Sequence, residues 1–334
     1  MQHDGSREAD NSPYHAGERA VQARAGARER AEQMGRRMIR DFMPDQHREF
    51  FAELPFLVVG TVDGQGRPWA SILVGHPGFV TSPDPWTLKV AAGFGFGDPA
   101  AGQLKVGGAV GLLGIQPETR RRNRMNGTVA AIDAAGFTVR VDQSFGNCPQ
   151  YIQARAPVFV TDPNATAPRP VRQEAAALSD AASTLVGTAD TLFIATTAPA
   201  SYGGRAGGID VSHRGGRPGF VRGITEASRT VLTLPDFRGN NAFNTLGNIA
   251  VEPRCGLLFV DFATGGLLSL TGEAEIVWDG AELAAFAGAQ RLLKFRLTSG
   301  VAIADALPFR WTAALPAPQL AATGTWAEAA RSAQ

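Results

Sequence analysis

The chain has 334 residues, 44% apolar and 19% charged, with 32 basic side chains against 31 acidic ones. That composition is ordinary for a globular protein with room for two domains, and a net charge near zero gives no bulk attraction to nucleic acid or an anionic membrane. Two cysteines exclude a disulfide framework and a cysteine-based metal site, no run of 18 apolar residues is present to span a membrane, and the N-terminus lacks an apolar signal core.

A cytoplasmic protein is therefore expected. Only Lys89, Lys105 and Lys294 among the basic residues are Lys, and the surplus of Arg, Ala and Gly reads as a bacterial coding bias. Residues 1–13 are polar and read as disordered. Residues 17–42 carry an apolar stripe of Val21, Met34, Met38, Ile39 and Phe42, which predicts one packing helix. A short helix from Asp45 to Phe51 follows Pro44.

A β-rich block comes next. Phe56–Val62 and Pro68–Gly75 flank the hairpin turn Asp63-Gly64-Gln65-Gly66. Further strands are expected at Gly78–Thr81, Thr87–Ala91, Ala109–Ile115, Arg124–Asp133 and Gly136–Val141. Short strands at this spacing suggest a closed or nearly closed barrel. The seam to a second unit is placed at Asp162–Pro170, and a helix is predicted over Arg172–Val186.

The second half repeats the first weakly. Pro77-Gly78-Phe79-Val80 recurs as Pro218-Gly219-Phe220-Val221, and Gly111-Leu112-Leu113 as Gly256-Leu257-Leu258. Leu57–Thr61 corresponds to Leu192–Thr196, and Asn126–Thr128 to Thr271–Glu273. The central stretch is Leu232–Phe259, read as strand, polar loop, short helix, strand. Pro235 ends the first strand in this reading. Asp236, Phe237, Arg238, Gly239, Asn240 and Asn241 form the loop, and Asn240 or Asn241 caps a helix containing Asn244 and Thr245. A polar loop feeding a helix start offers free N–H groups and a positive dipole end to an anion, and Arg238 adds a fork suited to phosphate. A plain surface connection with an exposed Arg is the alternative.

That stretch resembles the phosphate-binding loop of the pyridoxamine 5'-phosphate oxidase-like FMN-binding split-barrel family. The matching features are Arg238 in its loop, the helix end Glu252-Pro253-Arg254 and the strand opening Gly256-Leu257-Leu258-Phe259. Ser212–Val221 is similar to a branch of flavin-nucleotide-binding proteins, and Gln143–Ile152 resembles the GNCPxYI motif of one branch. The family's Arg-Lys pair is missing, with Phe243-Asn244-Thr245 near its place. The opening from Asp41 to Gly60 is similar to a branch often fused to a ferredoxin-reductase-like part, and the chain reads as its stand-alone form.

The resemblance implies a mainly β fold with flanking helices, organised as tandem split β-barrels. Residues 1–44 would be a helical extension, 45–165 the first repeat, 170–312 the second with the phosphate loop, and 313–334 a loose tail. It implies FMN, ahead of FAD, as cofactor. Ser212, His213, Arg214, Val221, Arg222, Pro235, Asp236, Phe237, Arg238, Asn240, Asn241, Asn244 and Thr245 are the cofactor-binding candidates. Because the first copy has Ala91–Gly108 in place of the Arg238 loop, one competent site per chain is expected.

The densest basic run, Thr119–Gly127, places Arg120, Arg122 and Arg124 on one strand face and Arg121 and Asn123 on the other. Nucleic-acid binding, an anion pocket and a solvated hairpin are all open to it. No interleaved aromatics support the first, and the resemblance favours the second. The expected substrate or anion pocket comprises Arg122, Arg124, Asn126, Asn147, Cys148 and Tyr151. His213 and Cys148 are candidates for chemistry beside a flavin, although a structural His and a pocket-lining Cys are commoner. Five histidines without paired spacing predict no metal.

The expected function is an FMN-dependent oxidoreductase passing hydride through flavin N5 to or from a small molecule. An electron donor such as NAD(P)H or a redox protein is implied, with no nucleic-acid or membrane partner. The assembly would be a monomeric pseudo-dimer or a homodimer. The competing reading is a non-catalytic flavin- or haem-binding module.

Overall fold

The computed structural model describes residues 12–163, 165, 167–202 and 204–332. The reading of residues 1–11 as disordered lies outside these. Ser12 and Pro13 are held: the Ser12 hydroxyl donates to Glu32, and the Pro13 carbonyl accepts from the Gln143 amide at 3.1 Å. Residues 17–42 form two helices rather than one, α1 (Ala16–Arg24) and α2 (Arg28–Met38). Gly26 at φ 65° breaks them apart, a conformation open to glycine. Helix α3 (Asp45–Ala52) leads into the first sheet.

That sheet contains β1 (Phe56–Val62), β2 (Pro68–Val74), β3 (Val80–Asp84), β4 (Thr87–Val90), β5 (Ala109–Gln116), β6 (Arg121–Ile132) and β7 (Phe137–Gly146), in the order β2-β1-β5-β6-β7-β4-β3. The short strand β8 (Pro157–Phe159) lies outside it. The second half begins with β9 (Val171–Glu174) and α4 (Asp180–Thr188). The single helix expected over 172–186 is thus corrected. Its first part pairs with the second sheet as a strand, and the helix starts only where the Ser179 hydroxyl caps it.

The second sheet adds β10 (Thr191–Ala198), β11 (Gly208–Gly215), β12 (Arg222–Glu226), β13 (Arg229–Phe237), β14 (Arg254–Val260), β15 (Leu267–Val277) and β16 (Ala289–Ile303). Helix α5 (Asn244–Val251) connects β13 to β14, and α6 (Ala281–Ala285) precedes β16. The order is β11-β10-β14-β15-β16-β13-β12, with β9 on β16. Position for position this is the order of the first sheet. Neighbouring strands pair antiparallel, and among the described residues the pairing closes on itself in neither sheet. Of the closed or nearly closed barrel expected from the sequence, the closed form is corrected to two open sheets.

The burial pattern explains why β1 and β10 read as unbroken apolar runs. Leu57 and Val59 face the first sheet's own core, while Phe56 and Val58 face the other sheet. Leu192 and Ile194 likewise face the second core, and Phe193 and Ala195 the layer between the sheets. Strands buried on both faces lose the alternation of a solvated sheet. Glycines let the two backbones touch in that layer. A Cβ on Gly256 would stand 2.5 Å from the Pro68 carbonyl oxygen, and one on Gly111 would stand 2.7 Å from the Asp210 Cα. The register makes Gly111 and Gly256 equivalent, opposite Gly60 and Ala195. The contact is therefore the same patch used twice, the logic of an isologous interface inside one chain.

Two further expectations change. Pro235 does not end its strand: β13 continues to Phe237, and Pro235 keeps register with Leu292 because β12 stops opposite Thr233. The tail is not loose. After β17 (Phe309–Trp311), helix α7 (Trp326–Ser332) docks through Trp326, whose indole N–H donates to the carbonyls of Phe220 (2.9 Å) and Thr233 (3.1 Å). Among the described residues no helix is long and apolar enough to cross a membrane.

Candidate functional site

A cavity opens where the two sheets meet beside the start of α5. The first sheet contributes Arg122 and Arg124 from β6, with Asn147, Cys148 and Tyr151 from the segment after β7. The second contributes Ser212–Gly215 from β11, Pro235–Phe237 from β13, and residues 238–246. Its volume is about 120 Å³, room for about four water molecules at the roughly 30 Å³ each takes in the liquid.

Three of the chain's non-glycine residues at positive φ line this cavity: Tyr151 at 62°, Asn241 at 60° and Phe243 at 59°. Asn tolerates this conformation, whereas Tyr and Phe are disfavoured in it. Strain collects where the surrounding structure imposes a shape, often at a site. Here it turns the loop so that α5 begins on the cavity. Asn240 and Asn241 do not cap that helix, contrary to expectation. Phe243 occupies the N-cap position without a side-chain bond, and the Asn240 oxygen instead accepts from the Ala242 N–H at 3.1 Å. The first N–H groups of α5 therefore have no side-chain cap.

The lining is strongly cationic. Arg122, Arg124, Arg214 and Arg238 stand against the carboxylate of Asp236. That carboxylate is already shared between Arg214 and, at 2.9 Å, Arg291. Arg238 is exposed and makes no ion pair among the described residues; its carbonyl accepts from the Tyr151 hydroxyl at 3.1 Å. Tyr151 also stacks on Phe237, with ring centroids 5.2 Å apart, tying the two halves together across the mouth. Arg124 is buried, bonded to Ser212 and 3.4 Å from Asp210.

Arg122 donates to the Cys148 carbonyl at 2.8 Å and to His213 Nδ1 at 3.1 Å. A guanidinium cannot accept, so Nδ1 is the acceptor and the His213 proton sits on Nε2. Burial, then the Arg122 and Arg214 charges, push His213 well below its ordinary value of 6.5, so the ring is neutral. Burial also brings Arg122 down to about 10. Cys148 lies within reach of Arg122 and Gln150, and no second cysteine is near, since Cys255 is buried in the second core.

The structure thus brings together nearly all the expected site residues from both halves, and leaves three apart. Val221 is packed in the second core. Arg222 pairs with Glu282 and lies 4.0 Å over the Trp326 ring. Asn126 sits within β6 opposite Gly111 and Gln143 and does not line the cavity. Arg120 also leaves the expected strand face; at φ 55° it bonds the carbonyls of Ile152, Leu315 and Pro316. No metal-binding group of His, Cys, Asp and Glu occurs among the described residues. Sequence reasoning missed Glu18, His15, Asp210 and Asn248, a buried polar chain reaching Asn244 and Arg124 from behind. The His15/Glu18 spacing of a capping box was its one local signal.

Residues 43–165 match the family model described as pyridoxamine 5'-phosphate oxidase. The matched region includes Thr119–Gly127 and Gln143–Ile152, whereas Leu232–Phe259 lies outside it. No curated protein sequence matches. Among solved structures, HupZ of Group A Streptococcus is 15% identical, aligned over 36% of this chain and 89% of its own, with a TM-score of 0.27. An FAD-binding protein from Mesorhizobium loti is 14% identical over 40% and 97%, with a TM-score of 0.24.

A flavin nucleotide is the group this family implies, and the residues present fit one. The buried Nε atoms of Arg124 and Arg214 and the Asn147 amide nitrogen have no hydrogen-bond partner among the described residues. They add to an uncapped helix start and an exposed arginine on one cavity, a donor surplus that an anionic, amide-rich ligand would satisfy.

Proposed function

We propose that the protein is an FMN-dependent oxidoreductase whose flavin lies between two tandem split barrels of one chain. The observation that carries this reading is the convergence of Arg122, Arg124, Arg214 and Arg238 on the start of α5. Arg238, Asn240, Asn241, Asn244, Thr245 and the first N–H groups of α5 hold the phosphate. Phosphate donors gathered on one loop favour FMN over FAD. Ser212, neutral His213 and Arg214 face the ring, with His213 Nε2–H as a donor. Asn147, Cys148 and Tyr151 form the wall on the substrate side, and Arg122 fixes both Cys148 and His213. A bound flavin supplies the hydride chemistry; the protein supplies orientation, a cationic field and exclusion of water. The electron donor is NAD(P)H or a redox protein, and the co-substrate a small molecule.

The tandem reading is supported by matching strand order and by equivalent registers in the two sheets. It also supports one site per chain. Leu267 and Ser269 stand where the first sheet has Arg122 and Arg124. The loop of the first copy carries Asp98, whose carboxyl accepts from Ser71 at 2.7 Å, and Ser71 is the equivalent of Ser212. An acid in that place disfavours a phosphate.

The test is an absorption spectrum of the purified protein with and without FMN, followed by anaerobic addition of NADH or NADPH. Flavin bands that bleach on reduction are expected. Protein that ignores FMN, or that takes up haem in its place, overturns the reading.

A further inference from the structure

We infer that the N-terminal helix α1 is a working part of the anion site, with Glu18 acting as a positioning residue that decides which end of the Asn244 side-chain amide faces the cavity. This rests on the reading of the cavity as a phosphate site.

Helix α1 lies directly on α5. A Cβ on Gly247 would stand 2.5 Å from the Glu18 Cα, so the helices cross backbone to backbone at this point. The crossing puts Glu18 beside Asn244, the first residue of α5, and Asn244 also lines the cavity. Glu18 is buried, with one carboxyl oxygen accepting the His15 N–H at 2.8 Å and the other bonded to the Asn244 amide nitrogen. The residues around it are fixed in turn. His15 Nδ1 accepts from the Gly17 N–H at 3.1 Å, so its Nε2–H donates to Asn248 Oδ1 at 2.8 Å. Asn248 then donates to Thr196 Oγ1 (3.0 Å) and Asp210 Oδ2 (3.3 Å).

An amide carries its donor and its acceptor on opposite branches. An ionised Glu18 can only accept, and takes the Asn244 N–H₂ for itself. A neutral Glu18 can donate its O–H to the Asn244 oxygen, which frees the N–H₂ for an anion at the helix start. The groups facing Glu18 are His15 and Tyr14 from its own segment, Asn244 and Asn248 from α5, Asp210 from β11 and Arg124 from β6. Burial is the leading influence, and Asp210 adds to it against the opposing bonds and Arg124, so that Glu18 is raised to about 8. The exchange of donor and acceptor thus falls in the mildly alkaline range.

The experiment is a fluorescence titration of the full-length protein with FMN and with riboflavin at pH 7.0 and 9.0, for wild type and Glu18→Gln. A phosphate monoester has its second ionisation near pH 6, so the ligand keeps one charge state across this range. Wild type should lose about tenfold in FMN affinity at pH 9.0, the scale of one charge-assisted hydrogen bond, with riboflavin unaffected. Glu18→Gln, a permanent neutral donor, should bind FMN equally at both values. Equal pH profiles in wild type and Glu18→Gln overturn the inference. Should Glu18→Gln fail to fold, Asn244→Ala serves: it should flatten the profile at a lowered affinity, and an unchanged slope overturns the inference. If no flavin binds at all, the functional reading fails by itself. Inorganic phosphate, followed through its effect on the melting temperature at pH 7.5 and 9.0, then decides the inference: stabilisation that persists equally at both values sinks it.

Discussion

Replacing Gly256 by Ala inserts one methyl group where the two sheets meet. The added carbon would stand 2.5 Å from the Pro68 oxygen, 2.9 Å from the Trp69 Cα and 3.0 Å from the Pro68 carbonyl carbon. All three are backbone atoms of β2, so no side chain can swing away. Restoring ordinary contact requires the sheets to part by almost 1 Å locally. Overpacking of this kind costs about 1–3 kcal/mol. At about 2–4 °C per kcal/mol for domains of 150–250 residues, the melting temperature should fall by roughly 2–12 °C. Gly111→Ala, the equivalent change, meets the Asp210 Cα and the Ile209 oxygen, both at 2.7 Å, and should cost a similar amount. Gly187 in α4 is the control, because an added carbon there meets nothing within 4 Å. Gly187→Ala should be neutral or stabilising by about 0.4–1 kcal/mol. Thermal and urea unfolding of the three variants measures these differences. Gly256→Ala and Gly111→Ala melting with wild type would refute the direct backbone contact between the sheets.

The remaining predictions concern the site. Arg222→Ala should lower the melting temperature, through loss of Glu282 and the Trp326 ring, while leaving the FMN dissociation constant unchanged; calorimetry separates the two effects. His213 is held below 6.5 in the folded protein, so the unfolded chain takes up more protons beneath that value. Its contribution is present above pH 6.5 and is lost as the pH falls below it. Wild type should therefore lose stability relative to His213→Gln between pH 7 and pH 5 in urea unfolding. A constant difference would mean that His213 is not held neutral. Arg124→Met leaves Asp210 without its ion partner and should cost about 3–5 kcal/mol in the same assay, since an unpaired buried charge is the expensive outcome.

The parts of the site legible in the sequence were those with a local signature. The alternation of Arg122 and Arg124, the polar run after Phe237 and the segment from Asn147 to Tyr151 announced themselves by residue type, and the structure gathers them at one cavity. Val221 and Arg222, which only the resemblance points to, stand apart because a turn over Arg217–Phe220 takes the chain off the cavity, Val221 into the second core and Arg222 to Glu282 and the Trp326 ring. The Glu18–Asn244 and His15–Asn248 bonds join residues 226 and 233 positions apart, so only the tertiary packing of α1 on α5 reveals them. The stretch 172–186 read as helix because Ala is a strong helix former; pairing with β16 overrode that preference in its first residues.

The central claim is that Arg238 and the start of α5 anchor a flavin phosphate in the cavity between the sheets. Calorimetric titration of Arg238→Ala with FMN and with riboflavin tests it most directly. FMN should lose at least about tenfold in affinity, the scale of a charge-assisted pair, while riboflavin binds as in wild type. Equal binding of FMN by wild type and Arg238→Ala would contradict the account.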